Sequence, residues 1–422
     1  MKRSPSVCVI AHAHPDFSKG GGEMAAYRQF VTMRSEGWPC WYVAASDLAD
    51  SPAVRAQGGV LAYNDDEHLF GPSGMAEDQL YWADAGQRAA LVDFLAGLGA
   101  DVYHFHHYWR VGPDLILELA ERRPEARIVL TMHEMLAICA HHGQMVRTKG
   151  RELCRRESPV RCVGCFRERD IEHFTLRKAY LLSTLRRCDA VLYPSEFIRA
   201  RYEEWGLKPP YAAVLENFLG NDLMRRPRGT GRGGAASFGF FGQPTEFKGL
   251  DILLRGFALA LREEEKLSLS IFGCEQEDVL RFFPALEKVI EEVESNIVFY
   301  GRYDVDEVLD LMGTVGWVVM PSIWWENSPV VIQEAKRAGT PLIVSDIGGM
   351  AEKVAPGVDG LHFKRGSPAD LSRALRHAAQ PEVHAALRAS ITDSLDKERF
   401  LAGLAEAYGV TRASGRLRVA VG

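Results

Sequence analysis

Short apolar or β-branched runs alternate along the chain with longer segments that have the apolar spacing of helices. In the first half the apolar runs are SVCVIAHA, CWYVAA, DVYHFHH, RIVLTMHE and CDAVLYPS, and helical patterns such as EMAAYRQFVTMRSEG lie between them. Strands separated by helices of this length favour parallel βαβ units. The first half is therefore predicted to be a doubly wound α/β layer.

The alternation restarts after a segment rich in Gly, Arg and Pro. The later strand patterns are SFGFFG, LSLSIFG, NIVFYG, GWVVMPS and PLIVSD, with helical patterns between them, including one over residues 277–294. We predict a first domain over residues 1–216, a linker over 217–236, a second domain over 237–395 and a helix over 396–422. The predicted fold class is α/β, with two Rossmann-like layers facing each other across a cleft and ligands at the carboxyl ends of the strands.

The composition and net charge of the chain disfavour nucleic acid as a partner. The 422 residues are 47% hydrophobic and 25% charged, and the net charge of -6 gives no attraction to nucleic acid or an anionic membrane. No window approaches eighteen uncharged apolar residues, and the first apolar run is too short for a secretory signal. We expect a cytoplasmic protein without a nucleic-acid partner, and contact with the inner face of a membrane stays open.

The segment IWWENSPVVIQEA, which begins at Ile323, follows the strand pattern GWVVMPS. The residues WWEN are thus predicted to lie in the loop beyond a strand's carboxyl end. Ser328 has a preferred N-cap side chain and Pro329 suits the first helical position, and the helix should end near Gly339. Such a helix would present to a phosphate the amides of Val330 and Val331.

Two acids flank this helix start. Glu334 lies about one and a half turns into the helix, and Glu326 lies in the loop before it. Because a carboxylate repels a bound phosphate, a favourable role for each is to accept hydrogen bonds from sugar hydroxyls. The alternative is a capped surface helix with two solvated acids.

Several motifs in order resemble the retaining, nucleotide-sugar-dependent glycosyltransferases of family 4. The two glutamates are separated by seven residues, as in that family's acidic signature, and GTPLIVSDIGGMAE and GVDGLHF resemble its continuation. FFGQPTEFKGLDILLRGFA resembles its Gly-Arg-x4-Lys-Gly element, with Lys248 at the lysine. LSIFGC and VFYGRY resemble the next two strand ends, and LENF the domain junction. The resemblance is best over residues 190–365.

The resemblance implies the GT-B arrangement, with a C-terminal helix that crosses back to the first domain. It implies that Lys248 neutralises the donor diphosphate, that Glu334 binds ribose and that Glu326 lies against the transferred sugar. Gln243 stands where the family has an arginine. Lys19, Arg302 or a helix N-terminus is then expected to supply the missing charge.

In the first half, PDFSKGGGEMAAYRQF places three glycines between a strand and a helix. Their amides can approach a phosphate closely, and the loop resembles the one with which the family reaches the diphosphate, so Gly21 and Gly22 are predicted donor-binding residues. A tight βα connection is the alternative. The pattern is neither a dinucleotide fingerprint nor a P-loop, which disfavours an NAD-dependent enzyme.

Three histidines fall within or just after predicted strands. In DVYHFHHYW, Tyr103 and Phe105 alternate with His104 and His106, so the histidines should share one strand face. His104 is expected to be structural, and His106 is equally compatible with packing and with a sugar-side role. In RIVLTMHE the strand delivers His133 beyond its end, which resembles the family's histidine near the transferred sugar.

The chain has eight cysteines, four of which are clustered. Cys8, Cys40, Cys188 and Cys274 occur singly in apolar surroundings, where a buried small side chain is expected. Cys162 and Cys165 form a Cys-x2-Cys pair, which is half of a tetrahedral zinc pattern. The alternatives are reactive or paired thiols, and reduced thiols without a role. A structural zinc site in a cysteine-bearing insertion over about 139–165 would use Cys139, Cys154, Cys162 and Cys165.

The same insertion is basic, which permits a phosphorylated or lipid-diphosphate acceptor. Its cations are Arg147, Lys149, Arg151, Arg155, Arg156 and Arg161. The predicted partners are a nucleoside diphosphate sugar donor and a glycan, lipid-linked or small-molecule acceptor.

The predicted reaction is retaining transfer of a sugar to a hydroxyl in cell-surface polysaccharide or glycoconjugate assembly. Lys248, the glycine-loop amides and the helix N-terminus stabilise the departing diphosphate, so no cofactor is expected to be required for catalysis. Glu326 and His133 complete the predicted catalytic set. A nucleotide-sugar epimerase, a phosphorylase and a non-catalytic partner protein are the alternatives.

Overall fold

The structure is a computed structural model that describes residues 4–18, 20–150, 152–220, 233–392, 396–413 and 416–419. The chain divides into two compact units: Met1–Gly220 with Leu395–Gly422, and Asn221–Ser394. Most of the predicted linker, together with Lys19 and Arg151, lies outside the described residues.

The first unit is built on an eight-stranded sheet. Its strands are β1 (Val7–Ala11), β2 (Cys40–Ala45), β3 (Val60–Asn64), β4 (Glu67–Phe70), β5 (Val102–Phe105), β6 (Arg127–Thr131), β7 (Ala190–Tyr193) and β8 (Tyr211–Val214). The order is β3-β4-β2-β1-β5-β6-β7-β8, and all neighbours are parallel except β3 and β4. The helices between them are α1 (Gly21–Ser35), α2 (Pro52–Ala56), α3 (Ala85–Gly97), α4 (Pro113–Arg122), α5 (Pro159–Val163), α6 (Ile171–Leu185) and α7 (Glu196–Trp205).

The second unit has a parallel six-stranded sheet. Its strands are β9 (Ser237–Phe241), β10 (Ser268–Phe272), β11 (Ile297–Phe299), β12 (Trp317–Met320), β13 (Leu342–Ser345) and β14 (Gly360–Phe363), in the order β11-β10-β9-β12-β13-β14. The helices are α8 (Leu250–Leu261), α9 (Gln276–Phe282), α10 (Glu287–Val293), α11 (Val308–Gly313), α12 (Val330–Ala338), α13 (Gly348–Lys353), α14 (Pro368–Ala378) and α15 (Pro381–Ala389).

Each sheet has a point where the strand order reverses. In the first unit this point lies between β1 and β5, and in the second between β9 and β12. The loops that leave such neighbouring strands diverge to opposite faces, which opens a crevice at the carboxyl ends. The prediction of two doubly wound α/β domains is confirmed.

The final helix, α16 (Lys397–Ala407), belongs to the first unit. Lys397 forms an ion pair with Glu36 at 2.6 Å, and the Ala407 carbonyl accepts a hydrogen bond from Arg127 Nε at 2.6 Å. Two antiparallel strands, β15 (Val410–Ala413) and β16 (Arg416–Val419), come after it in the chain. Within the described part of the chain, no helix has the length and apolar character needed to cross a bilayer.

Three predictions about these elements need correction, the first being the helix over 396–422, which ends at Ala407 and is followed by extended strands. The helix over 277–294 is broken into α9 and α10 at Pro284, which has no N–H to continue the first helix. The β5 residues are buried on both faces of the strand, because helices cover both faces of the sheet. The four single cysteines are buried as expected.

Candidate active site

Two loops of the second unit meet at the point where its strand order reverses. Lys248 lies in the loop after β9, and Glu326 lies in the loop after β12. Lys248 Nζ lies 2.7 Å from Glu326 Oε1, and Ile323 N donates to Phe247 O at 2.9 Å. The cation and the carboxylate predicted from the sequence are therefore brought together at the carboxyl edge of this sheet.

Glu326 is a buried carboxylate with three donors on one oxygen. Besides Lys248, Ser322 Oγ and Trp324 Nε1 each donate to Oε1 at 2.9 Å. Burial alone would raise the pKa of Glu326, but the Lys248 charge and these hydrogen bonds hold the pKa below its ordinary value. Glu326 is thus ionised at neutral pH.

The Lys248 loop is shaped by its glycine and by an aromatic stack. Gly249 has a φ of 69°, and a Cβ there would lie 2.0 Å from Pro321 O, so only glycine fits. The rings of Phe247 and Trp324 stack at 5.9 Å, and Lys248 Nζ lies 5.8 Å from the Trp324 ring. The lysine side chain is 34% exposed, so it can reach a ligand from this position.

Two further residues, which were not predicted from the sequence, form hydrogen bonds with the backbone of the Glu326 loop. Gly349 N donates to Glu326 O at 2.6 Å, and a Cβ on Gly349 would lie 1.8 Å from Asn327 O. Arg365, just after β14, donates to Ile323 O. The Gly-Gly in SDIGGMAE was the available signal for the close backbone approach.

We expect Gly349→Ala to displace this loop and to lower transfer at least about tenfold, because the added methyl overlaps buried backbone that cannot retreat without moving Glu326. The measurement is kcat in a sugar-transfer assay. Gly97→Ala is the matched control, since a Cβ at Gly97 meets no heavy atom within 4 Å. Equal kcat in the two variants would contradict this role.

Helix α12 begins one residue later than predicted. Pro329 occupies the N-cap position with a φ of -64° and a ψ of 124°, so Ser328 lies outside the helix and does not cap it. Ile332 N donates a hydrogen bond to Pro329 O at 3.1 Å. The amides of Val330 and Val331 precede this first bond and lie at the start of the helix. The predicted C-terminal stop is confirmed, since Gly339 caps the helix with a φ of 71°.

The other predicted donor residues lie around the same edge. Glu334 is buried in α12, and burial together with the charge of that carboxylate raises the pKa of Tyr303. Gln243 follows β9 and is exposed. Arg302, which follows β11, is also exposed, and its strand lies two places from β9 in the sheet.

The first unit carries a buried chain of histidines at the ends of β5 and β6. His106 Nδ1 lies 3.0 Å from His133 Nε2, and His106 Nε2 lies 3.1 Å from Gln29 Oε1. Gln29 Nε2 continues the chain to His104 Nδ1 at 2.8 Å and to the Tyr408 hydroxyl at 3.0 Å. Because Gln29 Oε1 can only accept, His106 carries its proton on Nε2, and His133 donates from Nε2 to His106.

This chain makes the first unit sensitive to acid. Burial lowers the pKa of His104 and His133 to about 3 and lowers the pKa of His106 as well. The unfolded chain binds these protons near pH 6.5 and the folded chain does not, so their contribution to stability is full above pH 6.5. This contribution is lost progressively as the pH falls below that value, because the folded chain takes up these protons only at a lower pH.

We therefore expect the opening free energy of first-unit peptides to fall by at least about 2 kcal/mol between pH 7 and pH 5. Hydrogen exchange followed by mass spectrometry measures it. Peptides of the second unit are the internal comparison, since burial lowers the pKa of just one histidine among its described residues, His384. An equal loss in both units would refute the assignment.

The glycine loop of the first unit packs over this histidine cluster. Helix α1 starts at Gly21, and a Cβ on Gly22 would lie 3.3 Å from His12 and 3.6 Å from His133. Glu23, in the first turn, is 3.4 Å from His12 Nε2. Burial would raise the pKa of Glu23, but hydrogen bonds from His12 and Ser18 lower it to about 2. An ionised carboxylate thus already lies at the first turn of α1, next to Gly20.

The four clustered cysteines do not form the expected metal site. Among residues 4–18, 20–150, 152–220, 233–392 and 396–410, no three or more His, Cys, Asp or Glu side chains are arranged to hold a metal ion. Burial raises the pKa of Cys139 to about 11 and raises that of Cys162, which favours neutral thiols. Cys154 Sγ donates to Arg156 O at 3.2 Å, while Cys165 is partly exposed.

Comparison with known proteins supports a carbohydrate-related assignment of the second unit. Residues 235–380 match the family described as glycosyl transferases group 1. Glycogen synthase of Mycobacterium tuberculosis is 34% identical over 116 residues, which cover 26% of this chain and 28% of that protein. The matched stretch thus spans less than a third of this curated relative.

Two solved structures resemble nearly the whole chain. The Anabaena HepE protein in complex with UDP and glucose has a TM-score of 0.65 at 14% identity, covering 95% of this chain and 98% of that one. Sucrose-phosphate synthase of Thermosynechococcus elongatus has a TM-score of 0.67 at 17% identity, covering 96% of each chain. The chain therefore shares their two-domain α/β fold, and residues 235–380 of its second unit match the glycosyl transferases group 1 family.

Proposed function

We propose that the protein is a retaining glycosyltransferase of family 4. It transfers a sugar from a nucleoside diphosphate sugar to a hydroxyl of a glycan, lipid-linked or small-molecule acceptor. The observation that carries the proposal is the Lys248–Glu326 pair at 2.7 Å, at the reversal point of the second sheet. The match of residues 235–380 to a glycosyltransferase domain supports the same chemistry.

In this proposal the donor diphosphate binds between Lys248 and the amino end of α12. Both supply positive charge, one from the ammonium and the other from the amides of Val330 and Val331. Gly21 and Gly22 are retained as proposed amide donors, although the Glu23 carboxylate reduces the positive charge that they offer. With Gln243 uncharged, the α12 N-terminus supplies the charge of the absent arginine.

The acids hold the sugars. Glu334 accepts hydrogen bonds from the ribose hydroxyls, and Glu326 accepts a hydrogen bond from a hydroxyl of the transferred sugar. Since Glu326 is ionised and fixed by Ser322 and Trp324, it orients that sugar without reorganisation during reaction. His133 and His106 are proposed to contact the sugar side of the reaction.

The proposed reaction proceeds on one face of the donor sugar. The bond from the anomeric carbon to the diphosphate breaks as the acceptor oxygen bonds to that carbon from the same side. The acceptor proton passes to the departing diphosphate, and the charge that develops there is stabilised by Lys248 and α12. We place this chemistry in the cytoplasm, with peripheral contact at the inner membrane face for a lipid-linked acceptor, in cell-surface polysaccharide or glycoconjugate assembly.

The first test is a thermal-shift panel of UDP-, GDP- and ADP-sugars on the purified chain, with UDP as the first probe because the HepE complex contains it. A donor at 100 times its Kd should stabilise the protein by about 2.7 kcal/mol. NMR of the product should then show the donor's anomeric configuration. Absence of any shift, turnover without an acceptor, a requirement for inorganic phosphate, or binding without transfer would each contradict the proposal.

A further inference from the structure

A cavity of about 800 Å³ lies in the first unit, at the carboxyl ends of its strands. His107 follows β5, Glu134 follows β6, and Ala76 to Tyr81 belong to the segment between β4 and α3. The loops after β4, β5 and β6 thus line the cavity, and its volume is in the range of small-molecule sites.

The cavity adjoins the histidines that the proposed function places at the sugar. His107 is the chain neighbour of His106, and Glu134 is the chain neighbour of His133. His107 Nε2 pairs with Glu134 Oε1 at 3.1 Å, and its Nδ1 accepts from Trp109 N at 2.7 Å. Both ring nitrogens are thus engaged, and the pair forms a fixed wall of the cavity.

The charged side chains that line the cavity disfavour a phosphate ligand. Three carboxylates line the cavity, those of Glu77, Asp78 and Glu134. Arg177 also lines it, but that guanidinium donates to the carbonyls of Leu136 and Ala137.

The second cation of the cavity is also engaged. Arg169 lies 5.4 Å over the Phe166 ring, and its Nη1 is 3.1 Å from His173 Nε2.

The Glu134 carboxylate is engaged as well, by His107 and the Leu136 amide, and Leu80 N donates to Asp78 Oδ1 at 3.2 Å. Glu77 and Asp78 are both exposed, so their carboxylates can still accept from a ligand, and a ligand that donates hydrogen bonds is favoured over an anion.

Flat apolar faces occur beside these carboxylates. Tyr81, Trp109 and Phe166 line the same cavity, and Tyr81 is 48% exposed. Aromatic faces bury apolar C–H surface, while carboxylates accept from hydroxyls. A sugar ring offers both kinds of surface.

We propose that this cavity binds the acceptor of the transfer reaction and that this acceptor is an uncharged carbohydrate in its contacting part. The inference rests on the proposed function and specifies its acceptor. Tyr81 and Trp109 pack on the sugar ring. Glu77 and Asp78 accept hydrogen bonds from its hydroxyls. Arg155 and Arg156 of the basic insertion line a different cavity, where Arg156 pairs with Glu204.

The test is saturation-transfer NMR on the full chain with methyl α-D-glucopyranoside, methyl α-D-galactopyranoside and methyl N-acetyl-β-D-glucosaminide. At least one glycoside should bind, and Tyr81→Ala and Trp109→Ala should each weaken its binding about tenfold. Glu77→Gln with Asp78→Asn should weaken it too. Phe282→Ala, which removes an exposed aromatic of the second unit, is the control and should change nothing.

Inorganic phosphate and glucose 1-phosphate should not displace the bound glycoside. Absence of glycoside binding, equal binding in wild type and the Tyr81 variant, or displacement by phosphate would overturn the inference. UDP binding is measured on the same samples. Failure of UDP to bind would count against the proposed function, whereas UDP binding without glycoside binding would overturn the acceptor assignment alone.

Discussion

Lys248→Ala is expected to lower kcat/KM for sugar transfer by about 10²–10³-fold and to weaken UDP binding. The ammonium is the cation that we place on the departing diphosphate, and loss of one fixed donor at a developing charge has effects of this size. Steady-state kinetics and calorimetric titration with UDP measure the two quantities. Both should change in the same direction, because the diphosphate carries negative charge before and during its departure.

The control must separate chemistry from folding. Lys248→Ala leaves the buried Glu326 carboxylate without its cation, which itself destabilises the unit. The double variant Lys248→Ala with Glu326→Gln removes that buried charge and should restore stability without restoring transfer. Lys266→Ala, at an exposed position, should retain activity. Full transfer by Lys248→Ala would overturn the assignment of this residue.

Glu326→Gln is expected to lower kcat at least about 10²-fold while strengthening UDP binding. The two effects have opposite signs because Glu326 has two partners. It is proposed to hold the transferred sugar, but in the absence of donor it neutralises Lys248 at 2.7 Å. The uncharged amide frees that ammonium for the diphosphate.

Glu291→Gln, an exposed acid of α10, is the matched control and should leave both quantities unchanged. UDP lacks the transferred sugar, so it cannot contact the proposed sugar-side position of Glu326. A change in UDP affinity in this variant therefore reports the freed charge of Lys248. A parallel loss of UDP affinity and kcat in Glu326→Gln would contradict the sugar-side role. It would instead place this carboxylate on the nucleotide.

The alternation of strand and helix patterns was sufficient to predict the two doubly wound units, because each period is local in the sequence. Lys248 and Glu326 were selected from a resemblance and a strand-end position. Their direct contact was not predicted, since 78 residues separate them and sequence spacing contains no distance between loops. The N-cap error at Ser328 has a local cause: Pro329 takes an extended ψ of 124°, which delays the helix by one residue.

Other features needed tertiary information. The antiparallel pair β3 and β4 was missed, although Asp65 and Asp66 form a tight turn in which Asp66 has a φ of 61°. Arg365 supports the Glu326 loop through a backbone carbonyl, which leaves no pattern in the sequence. The Gln29–Tyr408 contact joins residues 379 positions apart, so the histidine chain was not predictable from strand periodicity.

The proposed mechanism requires that the second unit bind the diphosphate at Lys248 and α12, and a crystal structure of the protein with UDP tests this most directly. The β-phosphate is predicted to lie within hydrogen-bonding distance of Lys248 Nζ and of the Val330 or Val331 amide, about 2.7–3.2 Å between heavy atoms. The ribose hydroxyls are predicted to contact Glu334. A diphosphate bound away from both Lys248 and the start of α12 would contradict the account.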